Sequence, residues 1–232
     1  MNNFYIIGTP IGNLEDISLR ALRILKEVDF VLCEDTRVTK RLLAKYKIMT
    51  PTLSYHSFSG TFKTQKILDL LAEGKNLALV SDAGTPTISD PGFQLVAQIR
   101  EKFGDEIKSI PIPGASALIT ALSASGLPAD QFLFLGFLPH KKGKQTLLKE
   151  IVNSKRTAVF YESPHRVLKT LKMLKTQLDE MNQIQTRKIV VAKELTKVHE
   201  QTISGNITEL ISYFEKNPDK IKGEFVFVVQ NK

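Results

Sequence analysis

The 232-residue chain has room for one large or two small domains, each able to bury a hydrophobic core. Hydrophobic residues make up 42% and charged residues 24% of it, a globular composition, and no apolar run approaches the roughly 20 residues of a membrane helix. One cysteine and four histidines exclude an internal disulfide and argue against structural zinc. Because a strand already begins by Phe4, we expect no signal peptide and a cytoplasmic location.

The net charge of +8 is unevenly distributed. Residues 1–112 carry 14 Lys and Arg against 13 Asp and Glu, whereas residues 113–232 carry 18 against 11. An excess confined to one half indicates either a polyanionic partner or a solvated basic surface, and charge alone does not separate the two.

The first half alternates apolar strands with helices, in the order typical of a parallel α/β sheet. The strands are predicted at residues 4–8, 30–33, 52–55, 77–80 and 108–112. The helices are predicted at 17–28, 38–46, 64–73 and after Gly92, and residues 57–63 are predicted as a polar loop. In the last of these helices the predicted apolar face contains Phe93, Val96, Ala97 and Ile99.

The Pro113-Gly114 turn is the predicted domain boundary, which gives α/β domains at residues 1–112 and 113–232. The second half repeats the alternation, with strands at 132–138, 157–161, 189–192, 201–204 and 224–230 and helices at 145–153, 164–178 and 206–216. Ser163 is the predicted N-cap of the helix at 164–178.

Polar, glycine-rich and proline-rich loops follow most of the strands, at 8–13, 34–37, 81–92, 113–117, 162–166 and 193–197. A common sheet edge would gather such loops around one cleft, where open α/β sheets bind ligands. None is a P-loop or a dinucleotide fingerprint, and no metal-binding motif is present. The loops therefore predict a ligand held by backbone and short polar side chains, without a metal.

Seven runs match one family pattern in order: GTPIGNLED at 8–16, CEDTR at 33–37, SDAGTPTISDPG at 81–92, PGASA at 113–117, FLGFLP at 134–139, YESPHR at 161–166 and ELTK at 194–197. They resemble the ribosomal RNA 2′-O-ribose cytidine methyltransferases of the small subunit. These enzymes belong to the tetrapyrrole-methylase-like, class III S-adenosylmethionine-dependent family. The resemblance covers residues 4 to 230.

The resemblance implies two α/β domains with S-adenosylmethionine in the cleft between them, and a homodimer. The donor-binding positions it implies are Ile11, Asp82, Gly84, Thr85, Ile88, Ser116, Ala117, Glu162, Ser163, Ala192 and Glu224. For Ala192 and Glu224, packing in the core is an equally open interpretation. The partner it implies is small-subunit ribosomal RNA or the assembled subunit.

Two departures from the family pattern affect the RNA side of the site. Lys193 stands where an arginine is expected, which weakens any bidentate contact there. Many relatives continue past the last strand, so we expect this chain to rely on its basic second half for RNA.

A ribose hydroxyl needs a proton acceptor, and the candidates are Glu34, Asp35, Asp82 and Glu162. Asp35 has a second interpretation as a helix cap, and Asp82 as a brace of its turn. Within the loop after the second strand, Glu34, Asp35 and Arg37 form the predicted catalytic group. The predicted RNA-binding residues are Arg37, Lys141, Lys142, Arg166 and Lys193, with Lys144 placed on the same basic loop as Lys141.

Two other functions remain open from the sequence. One is methylation of a tetrapyrrole, since that acceptor also carries carboxylates and net charge does not exclude it. The other is a noncatalytic RNA-binding module, although no aromatic RNA-binding strand motif is present and the cleft loops would then have no role.

Overall fold

The computed structural model describes residues 2–56, 61–90, 92–184 and 186–230. They pack as two units, Met1–Ser116 and Ala117–Lys232, and the division lies just after the Pro113-Gly114 turn. Each unit has its own five-stranded sheet with helices, which confirms the predicted α/β class.

The first unit is built on a wholly parallel sheet with strand order β3-β2-β4-β1-β5. Its strands are β1 (Asn3–Ile7), β2 (Phe30–Cys33), β3 (Thr52–Ser54), β4 (Leu77–Leu79) and β5 (Lys108–Ile112). Its helices are α1 (Leu19–Glu27), α2 (Thr36–Lys45), α3 (Thr61–Ala72) and α4 (Gly92–Phe103). Because the strands are parallel, their carboxyl ends all lie at one edge.

Helices cover both faces of this sheet. Side chains alternate along β1, so that Ile7 packs with α1 and α2 while Phe4 packs with α3 and α4 on the other face. The first two helices begin at side-chain caps: Ser18 accepts the N–H of Ala21, and Asp35 accepts the N–H of Arg37. The cap at Asp35 makes α2 start immediately after β2.

Two predictions for the first unit are wrong in detail. Phe93 is 57% exposed and Ala97 is also exposed, because Leu95 and Ile99, one turn apart, are the α4 side chains that pack on the sheet. Residues 61–63 of the predicted loop belong to α3, whereas residues 57–60 lie outside the described residues.

The second unit has a mixed sheet with strand order β6-β7-β10-β8-β9. Strands β6 and β7 are parallel, β10 is antiparallel to both of its neighbours, and β9 is antiparallel to β8. The strands are β6 (Phe132–Phe137), β7 (Thr157–Glu162), β8 (Ile189–Lys193), β9 (Gln201–Gly205) and β10 (Phe225–Val229). The helices are α5 (Ala117–Ser125), α6 (Lys144–Asn153), α7 (Val167–Glu180) and α8 (Ile207–Lys216).

The core of this unit lies between the sheet and helices α6, α7 and α8. Every residue of β10 is buried, and the rings of Phe160 and Phe227 stack across β7 and β10 with their centroids 4.9 Å apart. The residues after β7 differ from the prediction: a 3₁₀ turn at Pro164–Arg166 precedes α7, and Ser163 makes no side-chain capping bond.

Candidate active site

Two loops of the first unit are joined by backbone hydrogen bonds at the carboxyl edge of its sheet. The N–H of Thr9 donates to the carbonyl of Gly84 over 2.8 Å, and the N–H of Gly84 donates back over 3.1 Å. The Thr9 hydroxyl, which is buried, donates to the carbonyl of Ser81. The loop after β1 is therefore fixed to the loop after β4, as the common edge predicts.

A third loop joins them through glycine. A Cβ on Gly114 would lie 2.5 Å from the carbonyl oxygen of Gly8, so only two glycines allow this approach between the loops after β1 and β5. The Thr85 hydroxyl donates to the carbonyl of Ala115, and Gly84 has a φ of +80° with the side chain of Ile11 beside it. The predicted donor positions Ile11, Gly84 and Thr85 thus lie together, next to the segment that leads to Ser116.

The middle of the 81–92 loop has strained backbone held by Asp90. Thr87 and Ser89 have φ angles of 76° and 61°, a region that side chains other than glycine rarely adopt. The Asp90 carboxylate accepts the N–H groups of Thr87 and Gly92, over 2.8 and 2.6 Å. Ile88, a predicted donor position, is held exposed between the two strained residues. Strain of this kind is found at binding and active sites.

The carboxylates at this edge have different environments. Burial, with smaller contributions from the charges of Asp90 and Asp82, raises the pKa of Glu34, and a hydrogen bond from the Asp82 backbone partly opposes the rise. Burial likewise raises the pKa of Asp90. In contrast, hydrogen bonds from the Arg37 side chain and backbone lower the pKa of the half-buried Asp35 to about 2. Glu34 is therefore the more basic group.

Asp35 and Arg37 bind each other. The Arg37 guanidinium donates to both carboxylate oxygens of Asp35, at 3.0 Å from Nε and 2.6 Å from Nη2. The Asp35 N–H in turn donates to the Asp82 carboxylate over 3.0 Å. Asp35 is the N-cap of α2, which is the structural interpretation left open by the sequence. Its pairing with Arg37 occupies Nε and Nη2 of the guanidinium group.

The second unit has an ion cluster at the carboxyl end of β7. Glu162 is 1% exposed and pairs with Lys144 at 3.0 Å and with Arg166 at 2.6 Å. The hydroxyl of Thr170 donates to the same carboxylate over 2.6 Å, and the Ser163 N–H donates to its other oxygen. Both oxygens of Glu162 are thus engaged inside the unit.

The prediction that Lys144 belongs to an exposed basic loop is wrong. Lys141 and Lys142 are exposed, as an RNA-binding loop requires, but Lys144 is the first residue of α6 and is 2% exposed. Its ammonium group donates to Glu162 and Thr170, so it belongs to the core of the unit. The sequence, which shows only three nearby lysines, contains no sign of this difference.

The end of β8 and the beginning of β10 lie at the same edge as Glu162, because Glu162 and Lys193 both pair in register with Phe225. Ala192 is buried in the sheet, and Lys193 is largely buried and makes no ion pair with any described residue. Next to them Lys197 bridges Glu194 and the exposed side chain of Glu224, at 2.9 and 3.1 Å.

The turn after β8 is also strained. Glu194 and Thr196 have φ angles of 50° and 64°. The Glu194 carboxylate accepts the Glu224 N–H, and although burial acts in the opposite sense, this bond and that of Lys197 keep the pKa of Glu194 below its ordinary value. The predicted positions Glu162, Ala192, Lys193 and Glu224 are therefore neighbours at one sheet edge.

Two absences concern the described part of the chain only. No three His, Cys, Asp or Glu side chains among residues 2–56, 61–90, 92–184 and 186–230 are grouped so that they could hold a metal ion. Within the same ranges, every helix is too short or too polar to cross a membrane.

The two α/β units, with polar loops at their sheet edges, have the architecture of class III methyltransferases. The family described as Tetrapyrrole (Corrin/Porphyrin) Methylases matches residues 3–211, and the chain belongs to this family. It is therefore a methyltransferase, and the predicted fold and enzyme class are confirmed. A solved structure of diphthine synthase superposes with a TM-score of 0.74 at 15% identity, over all of this chain and 90% of the other.

Two curated relatives are closer in sequence, and both are named Ribosomal RNA small subunit methyltransferase I. The one from Thermotoga maritima is 45% identical over 232 residues, which is 100% of both chains. The one from Synechocystis is 48% identical over 230 residues, covering 99% of this chain and 79% of the relative. The resemblance found in the sequence motifs is thus confirmed.

Some contributing residues were not identified from the sequence. Asp90 stands in a recognised motif, yet its carboxylate has to be seen between Thr87 and Gly92 before its role is evident. Thr9 and Gly114 act through contacts with distant backbone: the Thr9 hydroxyl reaches the carbonyl of Ser81, 72 residues away, and Gly114 lies against Gly8, more than one hundred residues earlier in the chain. The one sequence signal for this contact is that a glycine follows each of the two strands, Gly8 after β1 and Gly114 after β5.

Replacing Lys144 with Ala is expected to lower the free energy of unfolding by about 3 kcal/mol, because it leaves a buried carboxylate short of a partner. Lys141→Ala, a change of the same residue type at an exposed position, should leave the stability within about 0.5 kcal/mol of the original. Chemical denaturation of both variants measures this difference, and equal losses would contradict the buried role of Lys144.

Proposed function

We propose that this protein transfers a methyl group from S-adenosylmethionine to the ribose 2′-hydroxyl of a cytidine in small-subunit ribosomal RNA. The observation that carries the proposal is the 45% identity to the Thermotoga maritima protein over the whole of both chains, since every loop of the candidate site lies within that match. The relatives' names favour RNA over a tetrapyrrole acceptor and over a noncatalytic RNA-binding module. We further propose that the protein acts as a cytoplasmic homodimer.

The residues of the first edge fit a small cationic donor. Gly84, with its φ of +80°, and the close pair Gly8 and Gly114 leave backbone rather than side chains at the edge. Glu34 and Asp82 place negative charge in the same region, which is favourable for a sulfonium. When bound, S-adenosylmethionine supplies a methyl group already activated by positively charged sulfur.

We assign donor binding in the first unit to Ile11, Asp82, Gly84, Thr85, Ile88 and Ser116, and in the second unit to Ala117, Glu162, Ser163, Ala192 and Glu224. Because Glu162 is occupied by Lys144 and Arg166, its contribution is to fix the backbone of Ser163 and the end of β7. The task of this chain is mainly to hold the acceptor in line, and alignment of that kind supplies several kcal/mol.

Glu34 is the proton acceptor that the structure favours. Its raised pKa makes it a better base than Asp35, whose carboxylate is held by Arg37. Glu162 is less available because both of its oxygens are already engaged by Thr170 and Ser163. In the proposed step the ribose oxygen forms its bond to the methyl carbon as the carbon–sulfur bond breaks. The hydroxyl proton passes to a Glu34 carboxylate oxygen.

Incubation with labelled S-adenosylmethionine tests the function directly. We expect label to enter small-subunit RNA, either naked or in the assembled subunit, at one cytidine whose 3′ phosphodiester then resists alkali because its 2′-hydroxyl is blocked. A tetrapyrrole acceptor should receive no label. Label on a base, or on a tetrapyrrole alone, would contradict the proposal.

Gly114→Ala is expected to lower the affinity for S-adenosylmethionine at least tenfold, because the added Cβ pushes the loops after β1 and β5 apart. Gly104→Ala is the matched control: that glycine has a φ of +52° at the end of α4, with open space around it. Both changes should cost about 1–3 kcal/mol of stability. Calorimetric titration separates them, and equal donor affinities would show that the glycine contact does not shape the donor site.

Glu34→Gln is expected to lower kcat by about 10²–10⁴-fold, because the amide cannot accept the proton. In the unchanged protein, kcat/KM should fall as the pH drops through the raised pKa of Glu34, and the variant should lose this acid limb. Asp35→Asn keeps a good helix cap and should keep the limb, since a pKa of about 2 lies below it. If the fall of kcat/KM at low pH persists in Glu34→Gln, Glu34 is not the proton acceptor and the role passes to Asp82.

A further inference from the structure

A cavity of about 290 Å³ opens at the carboxyl edge of the first sheet, beside α2. It lies between the loop after β1, the start of the 81–92 loop and the side of α2 that carries Thr39 and Arg41. Its lining includes Pro10, Leu14, Val38, Thr39, Arg41 and Asp82. The volume is just below the roughly 300–1,000 Å³ of small-molecule sites, so it suits a single sugar-sized group.

The cavity is separate from the donor positions of the first unit. Ile11 lies against Gly84, on the side of the loop where Thr85 bonds to Ala115. The neighbours of Ile11 in the chain, Pro10 and Gly12, line the cavity instead. Of the proposed donor-binding residues only Asp82 belongs to both. A donor held by Gly84 and Thr85 therefore leaves the cavity open for the acceptor.

Arg41 is the cation that lines this cavity. Its side chain is exposed and makes no ion pair or hydrogen bond with the residues that the structure describes. Arg37, one turn earlier on α2, is held in a fork by Asp35 and is less available. An unpaired guanidinium beside a cavity presents the planar, forked donor set that matches a phosphate.

Further cations continue from Arg41 along α2. The exposed side of the helix carries Lys40 and Lys45, and the helix sequence TRVTKRLLAK contains no acidic residue. Lysine and arginine spaced three, four and eight residues apart lie on one helix face. The positive face thus begins at Arg37 and extends past the cavity to the end of the helix.

We propose that this cavity receives the ribose of the target nucleotide, that Arg41 binds the adjoining phosphate, and that Lys40 and Lys45 bind phosphates farther along the strand. The inference rests on the proposed function and adds the phosphate-binding element that the RNA substrate requires. The partner is an RNA strand whose target nucleotide is unstacked, because a cavity of this size does not admit a base-paired duplex.

Arg41→Ala tests the proposal through the salt dependence of RNA affinity. Loss of one phosphate contact should weaken binding to small-subunit RNA about tenfold and reduce the slope of log K against log salt by about 0.7–0.9. Arg41→Lys should keep the slope but bind more weakly than the original, because lysine lacks the fork. Arg100→Ala is the control: an exposed arginine in the last turn of α4, on the opposite face of the sheet.

Calorimetric titration of S-adenosylmethionine into the same variants completes the experiment. We expect donor affinity to be unchanged in Arg41→Ala, and a loss there with RNA affinity intact would show that Arg41 binds the donor's carboxylate and would overturn the inference. A salt slope in Arg41→Ala equal to that of Arg100→Ala would also overturn it. If either of these outcomes is found and the unchanged protein still methylates small-subunit RNA, the proposed function holds and only the role of Arg41 and the cavity is refuted. If the unchanged protein does not methylate that RNA, the proposed function and this inference are both refuted.

Discussion

The contact between Gly8 and Gly114 is the constraint on which the first edge depends. Two backbones approach where neither tolerates a Cβ, and the paired hydrogen bonds of Thr9 and Gly84 add the third loop. The loops are thereby held by main-chain contacts, which leaves their side chains available for a ligand. The strained residues Thr87 and Ser89 depend on this frame and on the Asp90 carboxylate, because strain persists only where the surroundings fix it.

Environment, rather than residue type, distinguishes the carboxylates of this protein. Asp35 is ionised at any ordinary pH by its pairing with Arg37, whereas Glu34 is partly buried and keeps its affinity for a proton. Glu162 is buried most deeply and is balanced by Lys144 and Arg166. Three carboxylates thus have three roles: Asp35 caps a helix, Glu34 is the proposed base and Glu162 is an ion of the core. The residues around each carboxylate determine which role it has.

Much of the fold could be read from the sequence because β-strand and helix periods, glycine turns and the family motifs agree. The strand positions of both units and the shared edge of the parallel sheet follow from local pattern. The failures concern packing direction and long-range pairing. The apolar Phe93 faces away from the sheet because Leu95 and Ile99 already fill that space. Lys144 is buried because it pairs with the buried carboxylate of Glu162. The two residues are 18 positions apart in the sequence, and composition does not encode such a pairing.

The position of β10 has a consequence for how the chain is made. This strand lies between β7 and β8, although it follows both of them in sequence. During synthesis the β6–β7 pair and the β8–β9 hairpin can form first, but no strand of the described sheet joins them until residues 225–229 leave the ribosome. The first unit has all of its strands within residues 3–112 and can fold long before that point. The nascent second unit therefore leaves the apolar edge of β7, and later that of β8, without its neighbouring strand until the last residues of the sheet are made.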